Sequence, residues 1–323
     1  MTPEVLLADL FSHLPLIRLA GKEVLSSAEI RVLHRPVHFD DNAKAWSNSD
    51  LILLNEAKVL LGNYHKRVDE NDGERGYGHV IVDEAQDLSP MAARMIARYS
   101  LSGSMTLVGD VAQATSPFGQ RSWDDIVSPL PNSNSVRLVE LKVNYRTPQE
   151  VMDVAGGLLR EFAPELKPAI SIRHSGEPVE LCGIDRENLF EALAKIVDGE
   201  LKKVGPGTVA ILVPANERNT YFDGLVSAGL DVSQSAEAEL SVLSIHEAKG
   251  LEFDSVVIAG ANKLLPSTVL NLQALFVAMT RTTKRLVIVH NNDVPDVIVD
   301  LISQQKSAIR ALQKNFNYSA SRG

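Results

Sequence analysis

HVIVDEAQD, residues 79–87, is the stretch of sequence that decides the fold. The apolar residues 80–82 form a short run typical of a buried strand, and two carboxylates, Asp83 and Glu84, follow directly. In open α/β sheets, ligands bind at the carboxyl ends of the strands. The stretch therefore predicts an α/β fold with a ligand site beside these two acids.

Short apolar runs alternate with helical stretches on the carboxyl side of this strand. Strands are predicted at 79–84, 105–110, 136–141, 179–184, 208–213, 241–245, 254–259 and 285–290, and helices at 90–99, at 148–160 and from about 295. That alternation is typical of βαβ units around a parallel sheet. Upstream, apolar residues at three-to-four spacing predict helices over residues 1 to about 70.

The same pattern suggests how the chain divides into domains. We expect a helical N-terminal segment over 1–78, a partial first α/β domain over 79–165 and a second α/β domain with a C-terminal helix over 166–323. Pro164, Pro168 and Pro178 mark the connecting stretch between the two α/β domains.

Composition limits the classes of function. The 323 residues carry 32 Lys and Arg against 41 Asp and Glu, a formal net charge of −9, which disfavours broad contact with a nucleic-acid backbone. Cys182 is the single cysteine and the sequence has no CxxC pair, which favours a reducing compartment, the cytoplasm. No apolar run approaches the roughly 18 residues of a membrane helix, so we expect no membrane contact.

The paired acids suit phosphate chemistry. Asp83 can hold a hydrated Mg²⁺ ion that neutralises nucleotide phosphates, and Glu84 can orient and deprotonate an attacking water. The alternative is a solvated acidic loop in front of a helix, which these two residues alone do not exclude.

Several sequence blocks carry a resemblance to a known family. VDEAQD (82–87) resembles the second motif of the UvrD/Rep/PcrA-like superfamily 1 helicases. LVGDVAQAT (107–115), LKVNYRTPQEV (141–151), SVLSIHEAKGLEFDSVVI (241–258) and LFVAMTRTTKRLVIV (275–289) resemble the third to sixth motifs, in the family's order. The resemblance implies a P-loop NTPase fold with RecA-like parallel sheets, an incomplete first lobe and a second RecA-like lobe.

The resemblance also assigns roles to residues and implies ATP and Mg²⁺ as cofactors. Gln113 would sense the γ-phosphate, Arg146 would reach the same phosphate, Glu252 would contact the nucleotide, and Arg281 would be the arginine finger. His246 would face the nucleic acid, although a structural histidine with hydrogen-bond partners is an equally good interpretation. Surface salt bridges remain the alternative for the two arginines.

One part of an ATPase is missing from the sequence. The phosphate-cradling loop GxxxxGK(S/T) holds the β- and γ-phosphates in such enzymes. Gly21-Lys22 is the single Gly-Lys pair, and Glu23 follows it where serine or threonine is required. In the helicase family this loop lies upstream of the second motif. We therefore expect a C-terminal part of a motor that does not hydrolyse ATP alone, with a second chain as a possible source of the loop.

The third motif departs from the family pattern QSIYxWRG. Ser116 stands in place of the tyrosine and Phe118 in place of the tryptophan, which weakens stacking on single-stranded DNA. GHVIVDEAQDLSPMAARMIARYS (78–100) and RSWDDI (121–126) look most like the HelD branch, whose members act on RNA polymerase. The alternative is a non-catalytic module that binds RNA polymerase or a P-loop-bearing partner chain.

Overall fold

The computed structural model describes residues 1–35, 46–62, 76–116, 118–131, 135–260, 268–290 and 298–307. The chain forms two compact units, the first made of Met1–Val111 with Phe118–Arg137 and the second of Ala112–Pro117 with Leu138–Gly323. Within the described ranges, every helix is too short or too polar to cross a bilayer.

The first unit opens with helices, as the apolar spacing predicts. They are α1 (Pro3–Ser12), α2 (Leu14–Ala20), α3 (Ser27–Leu33) and α4 (Asn48–Leu60). Ser26 and Ser47 begin α3 and α4 with capping boxes, in which the serine and an acidic residue three positions later satisfy each other's backbone amides. Leu7 and Phe11 of α1 pack against Ala57 of α4 and form a small apolar core.

A two-stranded parallel sheet completes the first unit. Its strands β1 (Val80–Val82) and β2 (Met105–Leu107) are followed by α5 (Pro90–Ala97) and α6 (Trp123–Val127), respectively. Val82 is buried, whereas its neighbour Ile81 points to the other face and is 71% exposed. Among the described residues, one face of β1 is therefore covered at Val82 and the other is exposed at Ile81.

The second unit contains the larger sheet. Its elements are β3 (Val143–Asn144), α7 (Gln149–Phe162), β4 (Ile170–Ser171), β5 (Glu180–Gly183), α8 (Leu189–Val204), β6 (Val209–Val213), α9 (Arg218–Ser227), β7 (Leu240–Ser244), β8 (Phe253–Ile258), α10 (Val269–Met279), β9 (Thr282–His290) and a helix at 298–307. Five strands form a parallel sheet in the order β5-β9-β8-β6-β7. The predicted α/β architecture with parallel strands is confirmed.

Helices cover both faces of this sheet. On β6, Ala210 and Leu212 face the core that α7 and α10 share, whereas Val209, Ile211 and Val213 face the core beneath α8 and α9. A strand buried on both faces needs a continuous apolar run, which VAILV supplies.

The prediction of a strand at 136–141 is wrong. Residues 136–142 have no regular structure, and only Val143–Asn144 form a strand, which pairs in parallel with Ile170–Ser171. The apolar side chains of 136–141 include Leu138 and Leu141, both exposed. A strand requires a hydrogen-bonded neighbour, and among the described residues none pairs with this stretch.

The compact units divide at residue 137, whereas the predicted domain limits fall at 78 and 165. Helix α7 packs against α10, which places it in the second unit. The domain limits at 78 and 165 stay a prediction. Residues 298–307 of the predicted C-terminal helix are helical, with Ile298 and Ile302 buried, and the remainder, 308–323, lies outside the described residues.

Candidate nucleotide site

Arg281 occupies the short turn that joins α10 to β9 in the second unit. Its side chain is almost fully buried, at 4% exposure for the residue. The guanidinium donates through Nε to the carbonyl oxygen of Val277 (3.1 Å) and through Nη2 to Oε1 of Gln113 (2.7 Å). The backbone carbonyl of Arg281 accepts a hydrogen bond from Phe253 at the start of β8 (2.9 Å). Both the backbone and the guanidinium are thus fixed.

Gln113 comes from a different part of the chain, 168 positions before Arg281. It ends a single 3₁₀ turn over Val111–Gln113. Its backbone carbonyl accepts a hydrogen bond from Nζ of Lys249 (2.7 Å). Sequence reasoning missed Lys249, although it lies inside HEAKGLEF beside the predicted Glu252.

Arg146 and Glu252 form an ion pair in the same unit. Nη2 of Arg146 lies 2.7 Å from Oε1 of Glu252, with 42% and 38% of the two side chains exposed. Asn144 shapes the turn that holds Arg146, because its Oδ1 accepts hydrogen bonds from the backbone amides of Arg146 (2.8 Å) and Thr147 (3.1 Å). The carbonyl of Leu251, next to Glu252, accepts a hydrogen bond from Nη1 of Arg281 (3.5 Å).

These contacts gather four of the predicted nucleotide residues in one unit. We call the group the arginine cluster, and its members are Gln113, Arg146, Lys249, Glu252 and Arg281. Guanidinium groups bind phosphate oxygens through paired, charge-assisted hydrogen bonds, and a lysine ammonium adds a point charge. The cluster therefore has the chemistry needed to bind a polyphosphate.

The predicted acids lie in the first unit, directly after β1. Glu84 adopts a left-handed backbone conformation (φ 51°, ψ 38°), which non-glycine residues rarely populate and which often marks functional sites. Oδ1 of Asp83 accepts a hydrogen bond from the Glu84 amide (2.8 Å). Asp83 is exposed at the end of the strand, where a ligand can reach it.

Gln86 supports this turn, and sequence reasoning did not single it out. Its side chain is fully buried. Nε2 donates to Oε2 of Glu84 (2.5 Å), and Oε1 accepts from the Asp110 amide (3.0 Å) just after β2. A Cβ at Gly109 would collide with this amide oxygen, so a side chain cannot be added there without displacing Gln86. Gln86 thus fixes both the Glu84 carboxylate and the loop after β2.

A carboxylate at this strand end has the chemistry of a Mg²⁺ ligand. Among the described residues, no group of three or more histidine, cysteine or acidic side chains is arranged to hold a metal ion. Mg²⁺ commonly uses one or two carboxylates together with substrate phosphates and water. Asp83 provides one such carboxylate at an exposed strand end.

The two residues predicted to face nucleic acid lie in different units. Phe118 is in the first unit and is 56% exposed, and His246 is exposed in the loop that follows β7 of the second unit. Both are accessible, and their contact with nucleic acid stays a prediction.

A lobe that combines a parallel α/β sheet with the arginine cluster is the structure expected of a RecA-like helicase lobe. Residues 239–289 match the UvrD-like helicase C-terminal domain. This stretch runs from β7 to β9 and contains Lys249, Glu252 and Arg281. The chain is thus similar to UvrD-like helicase C-terminal domains over these residues.

Similar proteins include named helicases. DNA helicase IV of Escherichia coli (strain K12) is 23% identical over 249 residues, covering 69% of this chain and 35% of the relative. The mitochondrial ATP-dependent DNA helicase HMI1 of Saccharomyces cerevisiae is 28% identical over 133 residues, covering 40% of this chain and 19% of the relative. The chain therefore spans about a third or less of the length of these relatives.

A solved structure shows a looser likeness. It is the C-terminal domain of a protein described as a possible DNA helicase from Lactobacillus plantarum WCFS1, with a TM-score of 0.41 and 18% identity. The match covers 50% of this chain and 96% of that structure.

Proposed function

We propose that this chain is the C-terminal part of a superfamily 1, UvrD-like DNA helicase or translocase-type motor, of the HelD-like kind that acts on cytoplasmic complexes of RNA polymerase with nucleic acid. The observation that carries the proposal is the hydrogen bond from Arg281 to Gln113, because it joins two predicted γ-phosphate residues from distant parts of the sequence. The match at 239–289 and the DNA helicase relatives support the same class.

Each member of the arginine cluster has a proposed task. Phosphoryl transfer spreads negative charge over the γ-phosphoryl oxygens, so cations placed in advance lower its barrier. Arg146 and Arg281 would contact these oxygens, and Gln113 would report the state of the γ-phosphate to Arg281. Glu252 holds Arg146 before the nucleotide arrives.

The two acids have proposed tasks of their own. Asp83 would hold Mg²⁺, which supplies charge neutralisation of the phosphates when bound, and Glu84 would orient the attacking water. Because the sequence lacks GxxxxGK(S/T), we propose that the chain binds nucleotide alone and hydrolyses it only with a segment that carries this loop.

Nucleotide binding is the direct test. A fluorescent, non-hydrolysable ATP analogue is titrated with Mg²⁺ into the full chain and into Arg146→Gln and Arg281→Gln. A hydrogen bond to a charged group contributes about 1.5–3 kcal/mol, so each substitution should weaken binding by about 10- to 150-fold. Arg160→Gln is the matched control, because Arg160 is an exposed arginine of the same unit.

Arg146→Gln decides the result if Arg281→Gln fails to fold, since the Arg146 side chain is partly exposed and its loss leaves the core intact. Equal affinity of Arg146→Gln and the original chain would contradict the proposed site. No binding by the original chain would instead favour a non-catalytic module that engages RNA polymerase or a P-loop-bearing partner.

The polymerase assignment needs its own measurement. The net charge of −9 and the replacement of the stacking tyrosine by Ser116 support a polymerase target over tight binding to single-stranded DNA. Bacterial RNA polymerase core enzyme and a fluorescent single-stranded oligonucleotide are titrated separately with the chain. Tighter binding to the polymerase supports the HelD-like role, and tighter binding to the oligonucleotide contradicts it.

A further inference from the structure

Arg146 lies in a turn that its own strand supports poorly. We call residues 145–147 the Arg146 turn, and they join β3 to α7. β3 and β4 are each 2 residues long, and their register ends at the pair Asn144–Ser171. Pairs of strands this short are marginal by themselves. The backbone of the Arg146 turn therefore needs support from outside the strand pair.

The side chain of Ser171, at the end of β4, supplies part of this support. Ser171 is buried, and its Oγ lies 2.6 Å from the carbonyl oxygen of Thr147 and 3.3 Å from that of Arg173. A hydroxyl has one proton to donate, and the shorter distance assigns that proton to Thr147. Oγ also accepts from the Arg173 amide (3.1 Å). The Ser171 hydroxyl thus joins the Arg146 turn to the residues that follow β4.

Residues close to Ser171 make further bonds to the same backbone. Nη1 of Arg173 donates to the carbonyl oxygen of Arg146 (3.0 Å). Gln149, the first residue of α7, donates its amide to the carbonyl oxygen of Arg173 (2.8 Å), and its Oε1 accepts from the Ser171 amide (2.9 Å). Residues 171–173 therefore hold the chain on both sides of Thr147.

The Arg146 turn also contacts the residue that precedes Arg281. The Thr147 side chain is buried, and its Oγ1 donates a long hydrogen bond to the carbonyl oxygen of Thr280 (3.5 Å). Oγ1 of Thr280 accepts from Nη2 of Arg281 (3.3 Å). The positions of the two arginines are thus linked through Thr147 and Thr280.

Binding of one phosphate by two arginines depends on where their backbones lie. Charge-assisted hydrogen bonds from guanidinium groups need a defined geometry, and a misplacement of about 1 Å can cost about 100-fold in rate. The Arg146 side chain is 42% exposed, so packing fixes it less than it fixes the buried Arg281. The backbone anchor is therefore more important for Arg146.

We propose that Ser171 is a positioning residue, whose hydroxyl holds the Arg146 turn so that Arg146 and Arg281 reach one phosphate together. This inference rests on the proposed function, because Ser171 acts on the nucleotide only through Arg146. Ser171 lies outside every motif block of the sequence. Its role comes from the carbonyl oxygen that its hydroxyl binds in the folded chain.

The test compares substitutions that remove or keep the hydroxyl, in the full chain. Titration with the fluorescent, non-hydrolysable ATP analogue and Mg²⁺ should show about 2- to 12-fold weaker binding by Ser171→Ala, the loss expected for one neutral hydrogen bond. Ser171→Thr keeps the hydroxyl and should recover most of the affinity. Ser241→Ala is the matched control, because Ser241 is a buried strand serine whose hydroxyl donates to the backbone carbonyl of Ser235 (3.0 Å). It should bind like the original chain.

A double-mutant cycle distinguishes positioning from a general loss of stability. Since Ser171 acts through Arg146, Ser171→Ala should cause no further loss of affinity in a chain that already carries Arg146→Gln. The same fold loss in both backgrounds overturns the proposal, as does equal weakening by Ser171→Ala and Ser171→Thr.

Hydrogen exchange tests the anchor without nucleotide. The amides of Arg146 and Thr147 donate to Asn144 within the Arg146 turn, so Ser171→Ala should speed their exchange while Ser241→Ala leaves it unchanged. Unchanged exchange of both amides in Ser171→Ala overturns the proposal.

The outcomes separate this inference from the proposed function. If Arg146→Gln weakens nucleotide binding and Ser171→Ala binds like the original chain, the nucleotide assignment stands and the positioning role fails. If Arg146→Gln leaves nucleotide affinity unchanged while Ser171→Ala speeds exchange in the Arg146 turn, the nucleotide assignment fails and the anchor itself stands.

Discussion

The carboxylate of Asp50 should make the first unit sensitive to acid. Asp50 is buried near the start of α4, where it accepts two hydrogen bonds of 2.9 Å from the guanidinium of Arg35 and a third from the Ser47 hydroxyl (2.7 Å). Arg35 also stacks over the Phe11 ring at 4.7 Å from the ring centre. The hydrogen bonds from Arg35 are the largest cause of a lowered Asp50 pKa, from 3.8 to about 2, against the opposing effect of burial.

The lowered pKa of Asp50 corresponds to a contribution to the free energy of unfolding. The difference between 3.8 and about 2 amounts to about 2.5 kcal/mol, since each pKa unit is worth about 1.4 kcal/mol. Because the folded state binds the proton less tightly than the unfolded state, this stability is fully present above pH 4. It is lost as the pH falls through 4 toward 2. Asp50→Asn should therefore lower the free energy of unfolding by about 2.5 kcal/mol at pH 7 and by much less near pH 2.

Tryptophan fluorescence can follow this change locally. Trp46 packs against the core that contains Phe11, so urea unfolding at several pH values is followed by its emission in a Trp123→Phe background. Asp9→Asn, at an exposed position of α1, is the control and should change stability little at any pH. If the free energies of unfolding of Asp50→Asn and the original chain differ by the same amount at pH 3 and at pH 7, the reasoning is refuted.

Two further predictions concern the second unit. Glu200→Ala should destabilise it by about 3 kcal/mol in chemical denaturation, because the buried Glu200 carboxylate accepts from Arg285 Nε and Ser255 Oγ, both at 2.8 Å. Glu180→Ala removes a more exposed partner of Arg285 and should cost less than about 1 kcal/mol, and equal costs would contradict this ranking. Burial, and after it the charge of Glu180, raises the pKa of the Cys182 thiol. A thiol-reactive dye should therefore label Cys182 slowly in the folded chain at pH 8 and rapidly in urea. Fast labelling of the folded chain would contradict this prediction.

The amino-acid sequence was sufficient to predict the strands of the large sheet but not their order. The apolar run at 208–213 predicts a strand, and the structure has a strand at Val209–Val213 that is buried at every residue. The neighbours of β6 are β7 and β8, whereas β9 lies between β5 and β8. Every crossover in a parallel sheet is long, and apolar periodicity says which residues are buried without saying which strand lies beside which.

Motif resemblance identified residues that the structure brings together, including Gln113 with Arg281 and Arg146 with Glu252. It missed Lys249, whose ammonium bonds to a backbone carbonyl, an interaction for which side-chain identity gives no signal. Gln86 was missed for a related reason, since its importance comes from its hydrogen bonds to both Glu84 and Asp110, the latter 24 residues after Gln86. Such support residues are recognised by where their partners lie in space.

Among the described residues, the sheets of the two units differ in size, and this difference bears on what holds the predicted site residues in place. The arginine cluster belongs to a unit whose five-stranded sheet is covered on both faces, so Arg281 is fixed by packing before any ligand arrives. Asp83 and Glu84 follow a strand of a two-stranded sheet with Ile81 exposed on one face, and sheets of two strands are marginal in water. A left-handed residue such as Glu84 costs about 1–3 kcal/mol and persists only where its surroundings hold it, which makes the buried Gln86 amide necessary. The position of Arg281 therefore depends on the packed sheet of the second unit, whereas the position of Glu84 depends on its hydrogen bond from Gln86.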